Sequence, residues 1–178
     1  MESGTLTLNS GDDAMHADGT LTINDGIIDI QSCYEVLEAT DVIINGGTID
    51  IGSSDDGING AGGNDSSGGN QGNVFPQDNF FGNQASITIN GGTISIAAGT
   101  NGNGDGLDAN GTITVTGGDT VIKTPASYRD YTDIDYDTTF IMMGCSMRIH
   151  NTDGTYTEVT SDYIQSGPMQ GGGPSGRK

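Results

Sequence analysis

The chain has 178 residues, enough for one domain, with 24 acidic side chains against 5 basic ones and a net charge of −19. A surface for nucleic acid or for an anionic membrane needs clustered Lys and Arg, so this composition excludes both partners. It would also repel an acidic polymer, unless a divalent cation stood between the two.

No run of 18 apolar residues is present, which excludes membrane insertion. No signal peptide is visible around Met1-Glu2-Ser3. Thirty-one glycines and an excess of acids can accompany disorder, but here Ile, Val and Leu recur at fixed intervals, which predicts order.

The first element, Gly4-Thr5-Leu6-Thr7-Leu8-Asn9-Ser10-Gly11-Asp12-Asp13, matches Gly47-Thr48-Ile49-Asp50-Ile51-Gly52-Ser53-Ser54-Asp55-Asp56 further on. Next, Gly19 to Ile30 aligns with Thr40 to Ile51 and with Ala85 to Ile96, each reading as two alternating strands around an Asn-Gly-Gly or Asn-Asp-Gly turn. Gly111 to Ile122 is a looser copy, expected to carry one inserted residue, and Thr138 to Ile149 is a degenerate one. A third short strand follows in each repeat, at Val36-Leu37-Glu38, Gly57-Ile58-Asn59, Gly106-Leu107-Asp108 and Asp133-Ile134-Asp135, with Leu or Ile pointing inward.

Ile27 to Thr48 and Glu35 to Asp56 both span one repeat of about 21 residues, and three strands in that length predict a triangular coil. The expected fold is therefore all-β, a right-handed parallel β-helix (a single-stranded solenoid with three strands per coil) over residues 4–150. Residues 61–84 read as a Gly/Asn-rich inserted loop, and residues 151–178 as an irregular C-terminal segment with a low-complexity tail. Because Gly4 to Asp13 matches a second strand and its corner, the helix is expected to begin mid-coil. It is then part of a longer helix, or its uncapped N-terminal coil makes an end-to-end contact with a partner. Cys33 and Cys145 fall several coils apart at about 4.8 Å per coil, too far for a disulfide. Met142, Met143 and Met147 are expected to fill the core of the last coil.

The third-strand corner stacks acids. Asp13, Glu35, Asp56 and Asp105 share one column, with Asp12 and Asp55 flanking it. His16, Glu38, Asn59, Asp108 and Asp135 share another, three residues on. Charge runs are usually solvated faces, but carboxylates opposed on adjacent strands repel, so these must splay apart, hold protons or bind a cation. Hard oxygen ligands without a Cys–His grouping favour Ca2+, and the expected metal ligands are Asp12, Asp13, Glu35, Glu38, Asp55, Asp56, Asn59, Asp105 and Asp108. Gly102-Asn-Gly-Asp-Gly-Leu-Asp108 looks like one nonapeptide of a calcium-binding β-roll, but that signature needs tandem nine-residue copies.

The segments Ser10 to Gly19, Ser32-Cys-Tyr-Glu-Val-Leu-Glu38 and Ser54-Asp-Asp-Gly-Ile-Asn-Gly-Ala-Gly-Gly63 together resemble bacterial carbohydrate-binding β-helix proteins, pectate-lyase-like in architecture. These bind polygalacturonate and cellulose, and the resemblance covers roughly Thr5 to Thr124. It implies an extracellular or cell-surface protein with bound calcium, taking plant cell-wall polysaccharide, chiefly acidic pectin, as its partner. Aromatic candidates for sugar stacking are Tyr34 and Tyr131 near the acidic corner and Phe75, Phe80 and Phe81 in the loop; the loop Phe residues could equally pin the loop to the flank.

Two other classes compete. A calcium-assisted polysaccharide lyase would need a Lys or Arg base beside the metal, and only Lys123, Arg129 and Arg148 are candidates, none within the acidic repeats, so no catalytic residue is assigned. An ice-binding or structural surface solenoid would use the outward pairs Thr5/Thr7, Thr20/Thr22, Ser86/Thr88 and Thr112/Thr114. Those pairs do not form one column, and Asp41/Ile43 interrupts them.

Overall fold

A computed structural model describes residues 1–61, 84–100, 104–125 and 133–163. Every regular element among them is a strand. In chain order these are β1 (Thr5–Asn9), β2 (Met15–Ile23), β3 (Ile27–Ser32), β4 (Leu37–Ile44), β5 (Thr48–Gly52), β6 (Ile58–Gly60), β7 (Ala85–Ile89), β8 (Thr93–Ala97), β9 (Leu107–Ala109), β10 (Gly111–Val115), β11 (Asp119–Lys123), β12 (Ile134–Tyr136), β13 (Thr139–Met142), β14 (Ser146–His150) and β15 (Tyr156–Glu158).

The strands form two sheets, ordered β1-β3-β5-β8-β11-β14-β15 and β12-β9-β6-β4-β7-β10-β13, with β2 alongside β4. This corrects the expected right-handed parallel β-helix with three strands per coil. That fold requires three separate parallel columns, whereas the third-strand column and the first-strand column merge here into the second sheet. The merger has a local cause: β4 runs without a corner through Ala39-Thr40-Asp41, pairing with β6 on one side of that point and β7 on the other. The first sheet is mixed, because Asn151 to Thr155 forms a turn that folds β15 back antiparallel on β14.

Pairing apart from β15 is parallel, and its register places like residues on like. Leu6, Ile28, Ile49, Ile94, Thr120 and Met147 stack through the first sheet, as do Leu8, Ile30, Ile51, Ile96, Ile122 and Ile149. In the second sheet Leu21, Val42, Ile87, Ile113 and Phe140 form one such column, and Ile23, Ile44, Ile89, Val115 and Met142 another. The expected inward residues of the short strands, Leu37, Ile58, Leu107 and Ile134, are all fully buried. Each such side chain contributes about 1.5–3 kcal/mol of apolar burial, which makes these columns the main stabilising term.

The turns between strands repeat as well. Gly47 has φ +99°, and a Cβ there would sit 2.8 Å from the carbonyl oxygen of Gly26 below it, so both conformation and space demand glycine. Beside it runs an amide ladder that the sequence reading did not anticipate. Asn24 donates to Glu2 at 2.8 Å, Asn45 to Asn24 at 2.7 Å, Asn90 to Asn45 at 2.8 Å, and Thr116 to Asn90 at 2.8 Å. The signal was present in the Asn of each Asn-Gly-Gly turn.

Several details depart from expectation. The offset between β7–β8 and β10–β11 is constant from Gly111↔Ala85 to Lys123↔Ala97, so no residue is inserted. The looseness of that copy comes instead from Thr120, which replaces an isoleucine in an inward column. Met147 is fully buried as expected, but Met143 is 61% exposed. Residues 151–163 hold one three-residue strand, β15, among turns; there Val159 is buried, and Tyr163 packs edge-on against Phe140 at 5.7 Å. Cys33 and Cys145 are free thiols. The inserted loop lies almost wholly outside the described residues.

Thr120 yields the first prediction. Its hydroxyl is buried without a hydrogen-bond partner between Ile94 and Met147. An unsatisfied buried hydroxyl costs about 1–3 kcal/mol, and valine has the same shape without it. Thr120→Val should raise stability by about 1 kcal/mol in urea denaturation, with an unchanged m-value; a loss of stability would show that the hydroxyl is satisfied.

Candidate metal centre

The acidic corner is built where the second strand of each repeat gives way to the third. Parallel register confirms the expected second column residue by residue: His16 pairs with Glu38, Glu38 with Asn59, Asn59 with Asp108 and Asp108 with Asp135. The first column is formed by side chains entering the backbone ladder. Asp13 Oδ1 accepts the Glu35 N–H at 3.3 Å, and Asp56 Oδ1 accepts the Asp105 N–H at 2.7 Å. These bonds fix both carboxylates against the strand above, leaving little freedom to splay.

The columns resolve into two groups. Asp13, His16 and Glu38 bring ligand atoms within 4.8 Å of one another, as do Asp56, Asp105 and Asp108. In the first group His16 serves as an internal counter-charge, with Nδ1 2.7 Å from Glu38 and Nε2 3.2 Å from Asp18. Burial acts to lower the imidazole pKa, but the two carboxylates outweigh it and the net shift is upward. The second group is composed of oxygen donors alone. Asn59 stands between Glu38 and Asp108 in register, is 7% exposed, and donates through Nδ2 to Glu35 Oε2 at 3.0 Å. Its Oδ1 is buried and accepts no hydrogen bond.

Burial and mutual repulsion show in the ionisation of the acids. Glu35 is pushed up to about 9, by burial first and then by Asp56, with the Asn59 amide acting in the opposite sense. Asp13 rises to about 7, through burial and then Glu38. Asp108 keeps some surface exposure yet stands deep among its neighbours; burial, Asp56 and Asp105 raise it well above the carboxylate range. Burial and the neighbouring acids thus favour the protonated forms of Glu35, Asp13 and Asp108.

The other expected ligands sit to the side. Asp12, Tyr34 and Asp55 form a flanking column, joined by Tyr34 N–H to Asp12 C=O at 3.2 Å and Asp55 N–H to Tyr34 C=O at 3.0 Å. Asp55 is buried and its carboxylate takes the Tyr34 hydroxyl, which raises the phenol pKa. Asp12 is exposed. Tyr34 is 44% exposed, while Tyr131, Phe75, Phe80 and Phe81 lie outside the described residues. Arg148 is committed elsewhere, 3.1 Å from both Asp119 carboxylate oxygens and over the Tyr156 ring. Lys123 ends β11 in the first sheet, and Arg129 is outside the described residues. Among the described residues, His16 is the one basic side chain in the two acidic columns.

The outward Thr pairs are interrupted as expected, since Thr20/Thr22 register with Asp41/Ile43 before Ser86/Thr88 and Thr112/Thr114 follow. No family model, curated protein or solved structure matches the chain.

A pH dependence follows from Glu35 and Asp13. Their folded pKa values exceed the unfolded ones of 4.5 and 3.8, so the folded state binds protons that the unfolded state has released. Stability is then fully present below the unfolded values and is lost as pH rises, through about 7 for Asp13 and about 9 for Glu35. In chelator the melting temperature should fall between pH 5 and pH 9. Each group contributes at most about 1.4 kcal/mol per pH unit. Glu35→Gln should flatten the alkaline part of that slope; a slope unchanged in this variant would assign the effect elsewhere.

Proposed function

We propose that this protein is a calcium-dependent carbohydrate-binding module, extracellular or on a bacterial cell surface, that takes an acidic plant cell-wall polysaccharide such as polygalacturonate. The observation that carries the reading is the buried, unsatisfied Oδ1 of Asn59 in a column of carboxylates. A carbonyl acceptor surrounded by acceptors gains nothing from them, but it is a good ligand for a hard cation. The 4.8 Å limit on the separations among Asp56, Asp105 and Asp108 supports the same reading. Two oxygens on one calcium with bonds of about 2.4 Å are at most about 4.8 Å apart.

A cation there also resolves the electrostatic conflict with the ligand. At net −19 the protein repels a polyuronate, and calcium held by Asp56, Asn59, Asp105 and Asp108 offsets two of the three carboxylate charges there and presents a positive centre to the ligand. Calcium accepts six to eight oxygens, so positions remain for a uronate carboxylate and water. The family resemblance carried by Ser10–Gly19, Ser32–Glu38 and Ser54–Gly63 points to the same ligand class. The lyase alternative lacks a described Lys or Arg in the acidic columns, and binding without cleavage is the reading we adopt.

Calcium should raise the melting temperature, by mass action on the folded state, by about 2.7 kcal/mol of stability at a hundred times its dissociation constant. Asp56→Asn and Asp108→Asn should each weaken calcium at least about tenfold in isothermal titration, while Asp153→Asn, in the exposed C-terminal turn, leaves it unchanged. Magnesium should substitute poorly, because it demands a tight octahedron and keeps its water. Polygalacturonate binding should vanish in chelator. Undiminished binding there would reject the cation bridge, and a melting temperature indifferent to millimolar calcium would reject the metal site.

A further inference from the structure

Beside the acidic corner lies an open groove of about 340 Å³ whose lining includes Ser10, Gln31, Ser32, Tyr34, Ser54 and Thr100. None of these residues is charged, although the chain carries 24 acids. The lining comes from the C-terminal end of β3 and the segments that follow β1, β3, β5 and β8, which are successive neighbours in the first sheet. The groove therefore runs across the strands and meets a new segment about every 4.8 Å, close to the length of one pyranose unit in a linear glycan.

Its hydrogen-bonding character is specific. Ser54 Oγ donates to the Cys33 carbonyl at 3.1 Å, and Thr100 Oγ1 to that of Ser53 at 2.9 Å. With their protons turned inward, these hydroxyls present lone pairs to the groove. Ser10 Oγ accepts the Asp12 N–H at 3.2 Å and so keeps its own proton for a ligand. Tyr34 adds a ring that is 44% exposed, anchored through its hydroxyl to buried Asp55. A flat, fixed aromatic face among neutral hydroxyls suits the alternating C–H faces and hydroxyl edges of a sugar chain.

We propose that this groove is a second subsite, independent of the cation, that holds an uncharged, hydroxyl-bearing stretch of a linear polysaccharide, with Tyr34 as its stacking platform. The inference rests on reading the protein as a carbohydrate binder, but not on the calcium bridge.

The test compares polygalacturonate with its fully methyl-esterified form, each titrated in calcium and in chelator. The esterified chain, which has no carboxylate for a metal, should bind in chelator. Tyr34→Ala, and Ser32→Phe at an exposed position of the groove, should each weaken that binding about tenfold, the serine variant without changing the melting temperature, whereas Tyr34→Phe, which keeps the ring, stays within about threefold of wild type. No binding of the esterified chain in chelator, or binding indifferent to both Tyr34→Ala and Ser32→Phe, would overturn the proposal. Loss of calcium-dependent binding with esterified binding retained would reject the cation bridge and support the groove.

Discussion

Parallel backbone pairing in a near-constant register is the constraint on which the rest of this structure depends. It sets each residue about 4.8 Å from the equivalent residue of the next strand, so the sequence is compared with itself at every position. For the inward positions this is favourable, because isoleucine on isoleucine fills a column with one shape. For the outward amides it is also favourable: Asn24, Asn45 and Asn90 each donate to the neighbour on one side and accept from the neighbour on the other. For carboxylates the same stacking is a liability, since nothing in a column of like charges relieves them.

The acidic corner shows how that liability is handled in two different ways. At one end a histidine enters the column, and His16, when protonated, places one positive charge between Glu38 and Asp18. Further along the column holds Asn59, which removes one charge but leaves a buried oxygen with no hydrogen to accept. The two solutions differ in what they leave behind: the first sets a basic side chain among the acids, while the second keeps a set of oxygen donors alone.

Much of this was legible in the sequence, and the limits have physical causes. The inward columns and the pairing of His16, Glu38, Asn59, Asp108 and Asp135 could be read directly, because parallel register turns a repeat in sequence into contact in space. The sheet architecture was not legible. Whether Ala39-Thr40-Asp41 bends or stays extended depends on hydrogen bonds to both neighbours of β4, and no residue type there forces a corner. The reversal of β15 onto β14 was hidden for a similar reason, since its turn around Gly154 lies outside the repeat. The inserted residue expected between Gly111 and Ile122 is absent, because the register runs unbroken and Thr120 simply stands opposite Ile94. The groove was missed because serines at strand ends are ordinary, and only their convergence on Tyr34 gives them meaning.

The passage from β6 to β7 has a consequence for how such a protein can change. Asn45 bonds Asn24 across 21 residues of chain but Asn90 across 45, and the ladder geometry is the same in both steps, at 2.7 and 2.8 Å. The stack is thus blind to how much polypeptide separates two matching strands, provided their own sequences agree. Length can be gained or lost at that junction without renegotiating any core contact. New surface chemistry can accumulate there, next to the acidic corner, while the scaffold stays under its own separate selection.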